Sequence, residues 1–307
     1  MTGSALPPSG AQVLLEHGDQ RAVVVEVGGG LRTYSVGGVE VLDGYGEREM
    51  VSAARGLPLI PWPNRLHGGS YSWDGRRIPV PQDEPEKGNA LHGLTRFRSW
   101  TATDATGSAV TMTLLLHPSP PYPFALDLAV RYALADDGLT VTTSATNVGT
   151  DAAPYAQGAH PYVTVGEPVD DALLTVPADT WLPTDDNQIP TGRLPVDGSA
   201  YDFRTPRRIG ELEIDYAFTD LLRGADGRAR LLLSGAERSV EVWVDEGYPY
   251  LEVFTGDTVP DEARRRRGLG VEPMTAPPNA FVTGEDLVRL EPGGTVTRTW
   301  GIRARLG

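Results

Sequence analysis

Glycine and proline recur so often along this chain that no long helix has room to form. With 36 glycines and 26 prolines among 307 residues, any helical pattern is broken soon after it starts, because glycine costs a helix interior about 1 kcal/mol and proline about 3 kcal/mol. No stretch keeps apolar residues at i, i+3 and i+4 over about a dozen positions. Between the breakers lie short β-branched runs. Ala22–Val27, Thr33–Val36 and Val39–Leu42 read as strands, the last two joined by a tight turn at Gly37-Gly38. Tyr71-Ser72-Trp73 continues through Asp74-Gly75 to a run ending at Val80, and Asp137-Gly138 joins Val130–Leu134 to Leu139–Thr143. Val240–Val244, Leu251–Thr255 and Thr295–Ile302 extend the pattern to the C-terminus. Many strands separated by turn residues predict an all-β sandwich or barrel and not a βαβ sheet. Helical turns are expected only near Pro206–Gly210 or Glu285–Leu290. Neither an internal repeat nor a linker is evident, so residues 12–307 are expected to form one domain after a flexible tail at residues 1–11.

Charge and residue usage narrow the function. A net charge of −14 repels a polyphosphate backbone, so nucleic acid is not an expected partner. The one basic run, Arg264 to Arg267, follows Asp261 and Glu262 and reads as a solvated surface turn. The absence of cysteine removes disulfides, thiolate metal sites and a cysteine nucleophile together. No apolar run approaches the roughly 18 residues that span a bilayer, and Met1 to Gln12 lacks the basic start and apolar stretch of a signal peptide. The expectation is a cytoplasmic protein with no membrane partner. Lys87 is the only lysine and stands in no phosphate-binding loop, and neither a His-Glu-x-x-His helix nor a Gly-x-Ser-x-Gly elbow occurs. Gly28-Gly29-Gly30 is a turn without the helix that a dinucleotide site requires.

A few polar residues stand in unusually constrained settings. His92 lies in Asn89-Ala90-Leu91-His92-Gly93 and His160 in Gly158-Ala159-His160-Pro161-Tyr162, where proline biases the preceding residue to extended geometry and glycine lets backbone approach a ligand. A lone histidine in such a place is more often a structural one, because its two ring nitrogens readily satisfy buried partners. Glu272 sits between apolar residues in Gly270-Val271-Glu272-Pro273-Met274; desolvation there would raise its pKa and make it a better base near neutrality, and the alternative is a salt bridge to an arginine. Pro61-Trp62-Pro63-Asn64-Arg65-Leu66 is a proline-locked turn that offers an amide and a guanidinium side by side, groups suited to hydroxyl recognition, with Trp62 either in the core, the first expectation, or on a stacking surface for a ligand. Asp215 is a further acceptor on a strand.

Taken in order, these segments resemble the aldose 1-epimerase, or galactose mutarotase, family. The matching stretches are Pro61-Trp62-Pro63-Asn64-Arg65 with Gly69-Ser70-Tyr71, Ala90-Leu91-His92-Gly93-Leu94, Tyr122-Pro123-Phe124, Gly138-Leu139 with Asn147, Gly158-Ala159-His160-Pro161-Tyr162, Asp215-Tyr216-Ala217-Phe218, Val253-Phe254-Thr255-Gly256, and Glu272-Pro273 with Pro278-Asn279. The resemblance spans roughly residues 12 to 305 and implies a galactose mutarotase-like β-supersandwich, mostly antiparallel, acting without metal or cofactor on a free hexose-type aldose. It implies that Glu272 is the general base on the C1 hydroxyl, that His160 is the acid on the ring oxygen, and that His92 is a second active-site histidine. Asn64, Arg65 and Asp215 match groups that hold sugar hydroxyls. Glu252 stands where many relatives carry a sugar-contacting glutamine, on the same strand face as Tyr250 and Phe254. His17, His67 and His117 match no role. The Pro-Trp-Pro-Asn-Arg form resembles a bacterial subgroup that includes proteins associated with unusual sugars such as sulfonated glucose, so the preferred sugar stays open.

Two other readings compete. His92, His160 and Glu272 form a two-histidine, one-carboxylate set that a zinc hydrolase could use, although the spacing follows no common zinc motif. The same scaffold could also serve as a catalytically silent sugar-binding or regulatory module.

Overall fold

The computed structural model describes residues 6–307. It is built almost wholly from antiparallel strands. A four-stranded N-terminal sheet contains Gln12–His17, Gln20–Val25, Leu31–Val36 and Val39–Glu40. The largest sheet has nine strands in the order Thr101–Thr103, Ala109–Leu116, Leu126–Ala135, Gly138–Asn147, Thr295–Leu306, Arg238–Val244, Ala229–Ser234, Leu173–Thr175 and Arg207–Arg208. An eight-stranded sheet runs Leu194–Pro195, Ala178–Trp181, Asp215–Leu221, Tyr250–Phe254, Leu269–Met274, Gly158–Ala159 and Pro58–Leu59, with Tyr162–Val163 also on Leu269–Met274.

Alternation builds the nine-stranded sheet. Along Leu126–Ala135 every second residue is buried, so Leu126, Leu128, Val130, Tyr132 and Leu134 point inward and meet Leu139, Val141 and Ala145 of the next strand. On the outward side, Thr142 pairs with Thr299, Ser144 with Thr297 and Thr146 with Thr295 through hydroxyl hydrogen bonds of 2.8–3.3 Å. The eight-stranded sheet differs. All six residues of Leu269–Met274 and four of five in Tyr250–Phe254 are buried, because loops cover the face turned away from the core. Carboxylates on these strands are therefore held in a low-dielectric setting from the start. One contiguous apolar cluster joins all three sheets, and Trp62 lies in it against Phe281, ring centroids 5.2 Å apart.

Three local expectations are corrected. Pro206–Gly210 holds a two-residue strand paired with Leu173–Leu174, and Glu285–Leu290 ends in a strand paired with Ala153–Tyr155. The only α-helix among the described residues is Ala280–Thr283, bracketed by Asn279 and Gly284 in the left-handed region, and it exists to set Phe281 against Trp62 and Tyr71. The arginine run is not simply solvated: Arg264 bonds Asp43 Oδ1 at 2.9 Å, and Arg266 bonds Asp170 Oδ1 at 2.7 Å and also Asp257, while Arg265 and Arg267 remain exposed. Acids distant in sequence converge on alternate members of the run. Of the tail expected at residues 1–11, residues 1–5 lie outside the described residues, while Ser9 O accepts from Val27 N at 2.9 Å and Ala11 N donates to Glu26 at 2.9 Å. Among the described residues no helix is long and apolar enough to cross a membrane.

Candidate active site

The strand register collects the acids. Ala217, Glu252 and Glu272 lie opposite one another across three adjacent strands, and Asp215, Phe254 and Gly270 form the next row on the same face. This face floors a cleft of ≈ 350 Å³ lined by Asn64, Arg65, His92, His160, Asp215 and Glu272 among others, a volume that accommodates one sugar ring. A second cleft, ≈ 720 Å³, lies over Asp43, Tyr45 and Arg264 and contains none of these six.

His160 Nε2 lies 3.2 Å from Glu272 Oε1, and both side chains are almost fully buried. Glu272 thus takes a histidine and not an arginine as its partner; its Oε2 has no hydrogen-bond partner within the protein. Burial, reinforced by the nearby Asp215 charge and opposed by Arg65, pushes the Glu272 carboxyl up to about 8. Burial and then the Arg55 cation push His160 down to about 3. In this setting the pair carries one proton across neutrality, on a line joining an acid to a base.

The rest of the site orients that pair. His92 takes a left-handed backbone with φ 57°, and Gly93 follows at φ 71°. A Cβ on Gly93 would fall 2.1 Å from Ile60 O, so glycine is required for this approach. Asn64 and His92 are clamped together: Asn64 N donates to His92 Nδ1 at 3.1 Å, and His92 N donates to Asn64 O at 2.9 Å. Nδ1 is therefore an acceptor, burial holds the ring neutral, and its proton sits on Nε2. His160 stacks on Tyr162, centroids 4.7 Å apart and planes 5° from parallel, and the Arg55 guanidinium lies 4.5 Å from the same Tyr162 ring. Arg55, 2% exposed, bonds Asp43 through Nε and Nη2 at 3.3 and 3.2 Å, and Asp43 also receives Arg264. The chain reaches Arg55 through Ala53 and Ala54, both at positive φ, and Ala53 O accepts from Tyr162 Oη at 3.2 Å.

On the opposite side of the cleft, Arg65 is gripped by Glu84 at 3.0 and 3.3 Å, with Asp215 Oδ2 4.0 Å away. Gln188 donates to that same Asp215 oxygen. Burial raises the Asp215 carboxyl, and Arg65 and Gln188 pull it back. A fork of donors, an amide and an acceptor thus face one another beside the acid–base pair, the arrangement that hydroxyl recognition needs.

The sequence profile of the aldose 1-epimerase family matches residues 11–303. The chain belongs to the aldose 1-epimerase family. It is 36% identical over 287 residues to YihR of Escherichia coli K12, itself uncharacterized, with 93% of this chain and 90% of that one aligned. Human galactose mutarotase is 27% identical over 222 residues, covering 67% of this chain and 63% of the human protein. The crystal structure of galactose 1-epimerase from Lactobacillus acidophilus superposes with a TM-score of 0.83 at 21% identity, covering 96% of this chain and 94% of that one, which supports the galactose mutarotase-like fold.

Six of the seven residues singled out in the sequence, Glu272, His160, His92, Asn64, Arg65 and Asp215, line this epimerase-family cleft together. Glu252 is 2% exposed and lies beside Glu272 and behind the cleft surface. His67 bonds Asn89 at 2.9 Å and His17 bonds Asp136 at 2.7 Å, both away from the acid–base pair. Sequence reading missed Glu84, Gln188, Arg55 and Tyr162. Glu84 and Gln188 lie in polar loops with no local pattern to mark them; Tyr162 lies inside the His160 motif and carries no signal of its own.

Proposed function

We propose that this chain is an aldose 1-epimerase that interconverts the α and β anomers of a free aldose. The observation that carries the reading is the buried His160–Glu272 contact of 3.2 Å on the cleft floor, flanked by hydroxyl-binding groups. Ring opening requires removal of the proton on O1 while a proton is delivered to the ring oxygen O5. Moving the shared proton to His160 leaves Glu272 a carboxylate and His160 an imidazolium, with no exchange with solvent. Glu272 then takes the O1 proton as the C1=O bond forms, the C1–O5 bond breaks, and His160 protonates O5. Rotation about C1–C2 and reversal of both transfers closes the other anomer and leaves the proton on His160, from which it returns to Glu272. His92, neutral with its proton on Nε2, supplies a hydrogen-bond donor near the reacting oxygens. Two positioned proton transfers, each worth about 10²–10⁴-fold, suffice for a reaction that is nearly thermoneutral.

The experiment is polarimetry of freshly dissolved α-D-glucose and α-D-galactose with and without protein, corrected for spontaneous mutarotation. Acceleration of either supports the reading and ranks the sugars. No acceleration of either, or of an acidic or sulfonated aldose, favours a silent sugar-binding module.

One observation supports a second reading. Ligand atoms of His92, His160 and Glu272 all lie within 4.8 Å of one another, a set that a zinc ion could use. Against it, His92 Nδ1 is already engaged by Asn64 N. Mutarotation that persists in EDTA supports the acid–base reading, and hydrolase activity abolished by EDTA supports the metal one.

A further inference from the structure

Among the described residues, Glu252 is the one carboxyl on the cleft-floor strands Asp215–Leu221, Tyr250–Phe254 and Leu269–Met274 that shares the face of Glu272 and Asp215 with neither a cationic nitrogen within 4 Å nor an amide hydrogen bond. It lies directly across the strand pair from Glu272 and one row from Asp215. Like charges directly opposite in a sheet repel. The residue is 2% exposed, its Oε2 has no hydrogen-bond partner, and among the described residues no arginine, lysine or histidine nitrogen lies within 4 Å of the carboxyl. The neighbouring acids are provided for: Glu272 has His160, and Asp215 has Gln188 and the more distant Arg65. An isolated buried carboxylate would cost many kcal/mol, and such a group keeps its proton instead.

We infer that Glu252 works as a neutral carboxylic acid that donates its proton in a hydrogen bond to the Asp215 carboxylate, and so positions that acceptor for a sugar hydroxyl. Three features of the site fit this role. Glu252 and Asp215 are diagonal neighbours on one face of adjacent strands, since Ala217 pairs with Glu252 and Asp215 with Phe254, close enough for long side chains to meet. The charged groups facing it are Asp215 from one neighbouring strand, Glu272 from the other and Arg65 from across the cleft, and burial with the two acids outweighs the single cation, driving its ionisation well above the ordinary carboxylate range. Ala217, opposite Glu252 on the other side, has no polar group to compete for the proton. The side chain touches neither reacting atom and acts through Asp215, so it is a positioning residue. Its functional part rests on the mutarotase reading, while its protonation does not.

The test has two arms. Infrared difference spectra of the wild type against Glu252→Gln at neutral pH read the proton directly and need no substrate. A carboxylic-acid C=O band that disappears in the variant is the expected result, and its absence from the wild type overturns the proposal. Steady-state polarimetry with D-glucose or D-galactose, whichever is turned over, supplies the second arm. Glu252→Leu cannot donate and should raise KM about ten- to a hundredfold, the worth of one hydrogen bond to a charged group, with the smaller change in kcat. Glu252→Gln still donates and should bring KM back to within about threefold of the wild type. A Gln variant as impaired as the Leu variant would mean that the negative charge itself is needed, and would overturn the proposal. If neither sugar is turned over by the wild type, the mutarotase reading fails and the infrared arm still decides where the proton lies.

Discussion

Replacing Glu272 by glutamine should make the protein more stable and nearly inactive at once. The amide has the shape of the carboxyl but cannot ionise. In the folded protein burial moves the carboxyl from 4.5 to about 8, so at pH 7 it keeps a proton that the unfolded chain has already lost. One pKa unit corresponds to about 1.4 kcal/mol, so this mismatch costs the wild type up to ~3 kcal/mol at pH 7. The sign follows from proton counts: the folded state binds more protons than the unfolded one between about pH 4.5 and 8, so this contribution is intact below pH 4.5 and is lost as pH rises through that window. The depressed His160 acts in the opposite direction, but it is present in both proteins and largely cancels in their difference. For a domain of this size ~1 kcal/mol shifts Tm by roughly 2 °C. Glu272→Gln should therefore melt about 5–6 °C above the wild type at pH 7 and within about 1–2 °C of it at pH 5. Calorimetry of both proteins across that range reads the gap, and polarimetry should show turnover lower by about 10²–10⁴-fold. A gap that stays constant or shrinks as pH rises would refute the claim that burial holds this carboxyl protonated.

Other expectations follow from the same geometry. His160→Asn should lower kcat by about 10²–10⁴-fold with little change in KM, and losses below about tenfold at both His160 and Glu272 would remove the acid–base assignment. Because the pair carries one proton between the depressed His160 and the raised Glu272, kcat/KM should be level through neutrality and fall above about pH 8; an acid limb centred on the ordinary imidazole value would contradict this. Arg65→Ala should raise KM more than it lowers kcat, and Glu84→Gln, which loosens the grip on Arg65, should do the same more weakly, by roughly three- to tenfold; a pure kcat defect in either would place Arg65 elsewhere in the mechanism. Gly93→Ala puts a methyl 2.1 Å from Ile60 O at a φ of 71° and should destabilise the fold by more than ~2 kcal/mol in thermal melts.

Much of the architecture can be read locally because turns and alternation are local signals. Gly37-Gly38 falls between paired strands as expected, whereas the expected Asp137-Gly138 turn is Asp136-Asp137, with Gly138 opening the second strand opposite Ala135; Leu251–Thr255 is recognisable because its apolar run is short. The two-residue strands, such as Arg207–Arg208, carry too few residues for any period to show, and only their partners define them. The helix fell at Ala280–Thr283 because Phe281 has a place in the core, a fact of tertiary packing. In the site, His92, His160 and Glu272 were marked by the glycine, proline and apolar residues around them. Glu84 and Gln188 were not, since each acts on a residue 19 or 27 positions away and nothing in its own loop records that target. Glu252 shows a different limit: its alternation placed it on the correct face, in one row with Glu272, but only its burial in the folded chain shows that it lies behind the cleft surface.

The stack of Arg55, Tyr162 and His160 means that the candidate acid is steered in part from outside the candidate cleft. Arg55 is anchored by Asp43, and Asp43 is shared with Arg264 in the wall of the larger cleft behind it. Arg55 is absent from the lining of the candidate cleft, yet after burial its charge is the next largest influence holding the His160 ring neutral. The acidity of the candidate acid therefore answers to a group outside the cleft as well as to Arg96 and Arg65 within it, and substitutions on the far side can retune it without altering the cleft lining.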